Sequence, residues 1–371
     1  MSTTSNLMLK PDPPYVDLAR SLLTQSTHTD AEVRRAEDSV RLLDMWRMRP
    51  QVQAAAFLLP IVRRQPPQLD EELARSVNSR VVALARIVSR LMFNDATVEY
   101  GPQSDTKRRI ERKRRLYKWA FQDRDVVLLV VATRIASIAD VEKMSDIEKR
   151  AWAQENIDVY LPLLEMLGLW QHRRELGNHS LMIHNSSNYR QILRGIEAFR
   201  EQNQRTFDNI ARIMYDSFEE QSISSALISM HEFTPISIQQ RIEQARRRGV
   251  KVTIDEVSNL CVDILVETTR DCYHALGVVH SRWRPTHRAS GHKERRFYDY
   301  IAAPRYNGYR CLITTVLYRD PDDPRFTTLV EFRIRTQSME QINTQGIVAA
   351  LQMTSSARGA WWYDTAARDI L

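Results

Sequence analysis

The sequence predicts an α+β chain: an all-helical first part followed by a mixed sheet with attached helices. Two observations carry that expectation. From Tyr15 to about Phe121 apolar residues recur at intervals of three and four, and no strand is needed before about residue 180. Beyond about residue 220 the pattern changes to short runs rich in β-branched residues, bounded by turn residues.

Taken in order, VRLLDMW, VQAAAFLLPIV and VVALARIVSRLMF read as short packed helices separated by Asp, Ser, Asn or Pro-rich breaks. DVVLLVVATRIASIADV at 125–141 is apolar enough for a central buried helix, and 153–175 stays helical with a Pro at 162. A polar helical stretch covers 187–218. SALISM, KVTI, CVDILVET, GVVHSRW, ITTVLY and LVEFRIRT then read as strands, with helices at 236–248 and 270–277. No internal repeat or low-complexity linker interrupts the chain.

A length of 371 residues allows two domains, each with its own core. Hydrophobic content of 43% and charged content of 27% are globular values. The opening MSTTSNLMLKPDPP has no apolar stretch of the kind that directs export, and no run of about 18 apolar residues occurs, so neither secretion nor a membrane span is expected and the cytoplasm is. Cys261, Cys272 and Cys311 lie singly, which fits reduced thiols and no metal held by sulfur. The net charge of +7 comes largely from clusters at 107–115, 246–248 and 292–296, which fit solvated faces better than a nucleic-acid surface. An RNA-binding module would rest on this charge alone.

Four segments carry a resemblance: AQENIDVYLPLLEMLGLWQHRREL at 153–176, RDCYHALGVVHSRWRP at 270–285, DYIAAPRYNGYRCLITTV at 299–316 and VEFRIRTQSMEQINTQGIVAA at 330–350. In this order they resemble the catalytic half of long RelA/SpoT-type enzymes of guanosine tetraphosphate (ppGpp) metabolism. The resemblance implies a helical HD-type hydrolase-like domain over 1–152, a helical connecting segment over 153–220, and a nucleotidyltransferase-like synthetase domain with a C-terminal helical tail over 221–371. Both active sites look dismantled.

In the family, His and Asp side chains on packed helices hold a metal ion that activates water, since imidazole and carboxylate lower the pKa of metal-bound water. By the family's spacing Arg35, Leu59, Pro60 and Thr133 stand at those ligand positions, and Arg63 and Arg64 replace an acidic pair. No metal is expected in the helical domain.

Synthesis requires cations on the ATP phosphates, an Asp and a Glu for magnesium, and a platform for guanine. With Ser237 as anchor, the ATP-side cations align with His231, Phe233 and Arg241, and the magnesium Asp aligns with Ser258. Asp263 falls on a family Arg, and Asp255 and Asp263 are the alternative carboxylates. Glu331 keeps the second acidic position, while Tyr298 replaces a Lys and Ile313 a His. On the guanosine side Asn307, Gly308 and Tyr309 are kept in pattern, and Arg305 substitutes for a basic residue able to meet phosphate. Tyr309 reads equally as a stacking platform for guanine and as a packed residue of a retained turn. Arg335 shares its strand face with Glu331 at period two and is a candidate to reach phosphate.

Two functions of different class follow. One is a regulatory pseudoenzyme that binds GDP, GTP or ppGpp and acts through a protein partner or self-association. The other is a residual GTP pyrophosphokinase that uses magnesium at Glu331. No other cofactor is expected. Because the chain ends soon after the synthetase-like segment, ribosome-coupled activation is not expected. Trp361 and Trp362 near that end read as a core-docking or partner-facing anchor.

Overall fold

The computed structural model describes residues 14–93, 102–221, 223, 226–253, 260–286, 297–323 and 325–353. They fall into two compact units. One runs up to Ile147 and takes in Asp158–Tyr160; the other comprises Glu148–Ile157 and continues from Leu161.

The first unit is helical: α1 (Tyr15–Gln25), α2 (Asp30–Met45), α3 (Pro50–Arg64), α4 (Asp70–Ser76), α5 (Ser79–Phe93), α6 (Pro102–Gln122) and α7 (Arg124–Ala136). Thr29 and Glu32 start α2 as a capping box, each side chain bonding the other's backbone N–H. α7 begins on Asp123, which accepts from the Asp125 N–H at 3.0 Å, and every residue from Asp125 to Ala136 is buried. This is the central helix that the apolar run predicts. It ends earlier than the run does, at a 3-10 segment over Ser137–Lys143.

The chain continues with α8 (Asp146–Glu155) and a π segment (Asn156–Tyr160), and the second unit goes on through α9 (Leu161–Met166), α10 (Trp170–His184) and the 35-residue α11 (Ser186–Glu220). There follow β1 (Leu227–Met230), α12 (Pro235–Arg247), β2 (Leu260–Val266), α13 (Thr269–Arg282), β3 (Phe297–Asp299), β4 (Leu312–Arg319), β5 (Thr327–Thr336), α14 (Gln337–Gln345) and α15 (Ile347–Met353). The five strands form one sheet in the order β1-β2-β5-β4-β3, with β2 and β5 parallel and the other neighbours antiparallel.

Alternation along the strands gives the sheet two different faces. Val262, Ile264, Phe332, Ile334 and Val316 join the core with residues of α11 and α13, where Trp283 stacks on Phe332 at 5.5 Å. The opposite face carries Cys261 and Asp263 of β2 and Glu331, Arg333 and Arg335 of β5. Register sets Cys261 against Glu331 and Asp263 against Arg333. Ser229, Asp263, Arg333, Ile313 and Tyr298 therefore form one row across all five strands.

Among the described residues, two expected strands are not formed. GVVHSRW continues α13 to Arg282, because Val278 and Val279 lie on the same helical stripe as Cys272 and Ala275 and bury against the sheet. Tertiary packing there overrides β propensity. Residues 251–253 of KVTI carry no strand pairing. β3, which no sequence signal indicated, is a three-residue edge strand.

Candidate functional site on the sheet face

The polar face of the sheet is a closed network of charges. Arg335 donates from Nη1 to Asp263 Oδ1 at 2.7 Å and from Nε to Glu340 at the start of α14. Asp263 Oδ2 meets His231 Nδ1 at 2.7 Å. The imidazole is held in place because the His231 backbone N–H donates to the Cys261 carbonyl at 2.8 Å, extending the β1–β2 ladder. Arg333 donates from Nε to Glu331 Oε1 at 2.8 Å, and its Nη1 lies 3.1 Å from His231 Nε2. A ring nitrogen facing a guanidinium must accept, so His231 carries its proton on Nδ1 and donates to Asp263. The Cys261 thiol completes the group, 3.6 Å from Glu331 Oε1.

Electrostatics follow from this pairing. Burial disfavours ionised Asp263, but the His231 hydrogen bond and the Arg335 charge outweigh it and hold the carboxyl far below its usual range. Glu331 is likewise held low against burial, chiefly by Arg333 and then by Arg241. Burial pushes the Cys261 thiol well up.

Arg241 of α12 lies over the Phe233 ring at 4.9 Å, and burial, with Arg333 nearby, lowers its pKa. Ser237 is occupied locally: its hydroxyl accepts from the Thr234 N–H at 3.0 Å and donates to the Thr234 carbonyl at 2.7 Å, starting α12. Beside His231 opens a cleft of about 220 Å³ lined by Ile196, Phe199, Arg200, Met230 and Phe233.

The loop before β4 is built separately. Gly308 turns it at φ 78°, where the Gly308 N–H donates to the Arg305 carbonyl at 2.9 Å and the Arg305 N–H to the Tyr309 carbonyl at 3.1 Å. Asn307 is buried and ties the loop down, donating to the Glu165 carbonyl at the end of α9 at 3.1 Å. The Leu167–Gly168 turn that follows α9 meets Gly346 between α14 and α15. A Cβ on Gly346 would fall 2.1 Å from the Leu167 carbonyl, so only glycine fits. Asn307 thus positions the loop. Tyr309 packs edge-on to Tyr300 at 6.0 Å, with the Arg305 guanidinium 4.5 Å from the Tyr300 ring and 5.6 Å from that of Tyr309. Tyr298 stacks on Tyr300 at 5.4 Å, which extends the aromatic surface.

In the helical unit, Arg35, Leu59, Pro60 and Thr133 come together as the resemblance implies. With Glu32, Ser39 and Arg63 they line a cavity of about 30 Å³, room for a water or two. Arg35 is paired with Asp140 at 2.7 Å, and Thr133 donates to the Leu129 carbonyl at 2.8 Å. Glu32, the one carboxylate among the described lining residues, is engaged by Thr29 and by Arg64 at 2.7 Å.

The sequence reading placed Arg335 and Glu331 on one face but missed Arg333, Glu340 and the contribution of Cys261. Arg333 was within reach of the same period-two argument, whereas the partners of Asp263 depend on inter-strand register. Ser258, Asp255, Trp361 and Trp362 lie outside the described residues.

Comparison with known proteins agrees with this architecture. Residues 233–357 match the family described as a region found in RelA / SpoT proteins, and residues 16–170 match an HD domain family. The guanosine-3′,5′-bis(diphosphate) 3′-pyrophosphohydrolase of Spiroplasma citri is 23% identical over 308 residues, 83% of this chain and 38% of that protein. The GTP pyrophosphokinase of Photobacterium angustum is 25% identical over 316 residues, 85% of this chain and 40% of that protein. The chain thus spans about two fifths of the length of these curated relatives. The small alarmone synthetase 1 from Bacillus subtilis, solved with its product pppGpp, is 21% identical, covers 48% of this chain and 92% of its own, and has a TM-score of 0.32. Among the described residues no helix is long and apolar enough to cross a membrane.

Proposed function

We propose that this chain, which belongs to the RelA/SpoT family and carries both its HD region and its RelA/SpoT region, is a regulatory protein of the ppGpp system that is catalytically silent or strongly impaired and keeps a guanine-nucleotide pocket at Tyr309. One observation carries this reading. On the sheet face Arg335 is paired with Asp263 and Glu340, and Arg333 with Glu331 and His231. Cations bound to internal carboxylates have little field left for the phosphates of ATP, and Glu331, held by Arg333, is a poor partner for magnesium. By resemblance Asp263 stands where the family has Arg, so a carboxylate replaces a cation on this face.

Tyr309 supports the nucleotide side. Asn307 and the Leu167–Gly168 turn fix its loop, and Tyr298, Tyr300 and Arg305 surround it with rings and a cation, surroundings suited to a purine and its phosphates. The helical unit supports the absence of hydrolysis, since its cavity is lined by arginines, apolar groups and a carboxylate already bonded.

A second reading, residual GTP pyrophosphokinase activity, draws on Glu331 remaining on the polar face within the field of Arg241. Calorimetry of the purified chain against GDP, GTP, ATP and ppGpp with magnesium, run beside a thin-layer assay of synthesis, separates the two. The first reading expects guanine nucleotides to bind, ATP not to bind, and pyrophosphate transfer to be absent or at least about 100-fold to 1,000-fold below an intact relative. Ready ppGpp formation that is lost in Glu331→Gln overturns it in favour of the second.

A further inference from the structure

We propose that His231, Cys261 and Asp263 form a binding site for a divalent transition-metal ion of the zinc type. One ring nitrogen of His231, the Cys261 sulfur and one carboxylate oxygen of Asp263 lie within 4.8 Å of one another. Tetrahedral zinc, with bonds of about 2.0–2.3 Å, needs its ligand atoms about 3.5 Å apart, a difference that small side-chain rotations close. Nitrogen, sulfur and oxygen together suit zinc or cobalt, whereas magnesium and calcium take oxygen alone.

The backbone fixes all three side chains. Cys261 and Asp263 alternate onto the same face of β2, and the His231 N–H is bonded to the Cys261 carbonyl at 2.8 Å. Glu331, with Oε1 3.6 Å from the Cys261 sulfur and bonded to Arg333 at 2.8 Å, borders the site, and a water would complete a tetrahedral shell. Arg335 grips Asp263 through Oδ1, which leaves Oδ2 for the ion and orients it, the arrangement that second-layer partners provide around metals. The cleft beside His231 gives the ion a way in.

Binding balances as follows. The ion replaces the proton between His231 Nδ1 and Asp263 Oδ2, that proton moves to Nε2, and the Cys261 thiol loses its proton to solvent. Arg333, a donor only, then leaves Nε2 and keeps Glu331. The cysteine spacing held no sign of this site, because its other ligands are a carboxylate two residues along β2 and an imidazole that only the β1–β2 pairing brings near. The inference does not depend on nucleotide binding or on the reading above.

The test uses the full chain without a polyhistidine tag, stripped with chelator and titrated with Co²⁺. One equivalent is expected to produce a thiolate-to-cobalt charge-transfer band with the visible bands of a tetrahedral ion, and Zn²⁺ should displace both. Cys261→Ser should abolish the charge-transfer band, while Cys272→Ser and Cys311→Ser keep it. His231→Gln, at a partly exposed imidazole, should weaken Zn²⁺ by about 10-fold to 100-fold or more. No charge-transfer band at one equivalent, or a band that survives Cys261→Ser, overturns the proposal. Should Cys261→Ser fail to fold, unchanged Zn²⁺ affinity in His231→Gln overturns it equally.

Discussion

The cavity of the helical unit and the polar face of the sheet differ in how they dispose of charge. Around the cavity, Leu59, Pro60 and Thr133 offer no metal ligand, and Arg35 and Arg64 point their charge at Asp140 and Glu32. On the polar face of the sheet, two arginines, three carboxylates and an imidazole bind one another. The first region holds its charges in separate pairs at its rim, whereas the second gathers ionisable groups that pair with one another. Removing one partner should therefore disturb the second region more widely than the first.

The largest expected contrast is all or none. The chain should release no pyrophosphate from ppGpp with manganese, magnesium or any other divalent ion. Chelator-sensitive release above a no-enzyme control would place a working metal site in a cavity described as having none, and so break the comparison.

Next in size is stability. Arg335→Met leaves buried Asp263, and half-buried Glu340, without their cation and should cost about 3–5 kcal/mol in chemical denaturation. Arg35→Met at the cavity removes a guanidinium whose side chain is 26% exposed and should cost less. Equal losses would show that the two regions use their arginines alike.

Tyr309→Ala should weaken guanine-nucleotide binding by about 5-fold to 150-fold, the worth of one stacked base, while Tyr309→Phe keeps most of it. Calorimetric binding indifferent to the ring would leave the loop as inherited architecture. It would also remove the one part of the second unit expected to face outward to a ligand.

The smallest effect concerns pH. Asp263 and Glu331 are held below their ordinary values, so on acidification the unfolded chain takes up protons first, and stability falls with pH. Their contribution should be complete above about pH 5, past the unfolded carboxylate values, and be lost as pH falls through the lower folded values. Glu331→Gln should flatten this acid slope; an unchanged slope would assign it to carboxylates elsewhere.

Much of the fold was legible because it rests on short-range patterns. The buried helix at 125–136, the long polar helix and the strands at 260–266, 312–319 and 327–336 all follow from periodicity. GVVHSRW misled because two adjacent valines suit a strand equally well, and only the sheet beneath α13 gives them a helical stripe to fill. In the guanosine-type loop the sequence showed Asn307, Gly308 and Tyr309 as a set, and the structure distinguished them: Asn307 and Gly308 shape the loop, and Tyr309 packs edge-on against Tyr300.

By itself the sequence determined that Glu331, Arg333 and Arg335 share one face, since strand side chains alternate whatever the strand pairs with. It also determined that Leu59, Pro60 and Thr133 offer no imidazole or carboxylate, which is a matter of composition. What those arginines bind was decided only in three dimensions. Asp263 reaches Arg335 across 72 positions of sequence because β2 and β5 pair in parallel at one register. A slip of one residue would have sent Asp263 to the opposite, apolar face, where neither arginine could neutralise it.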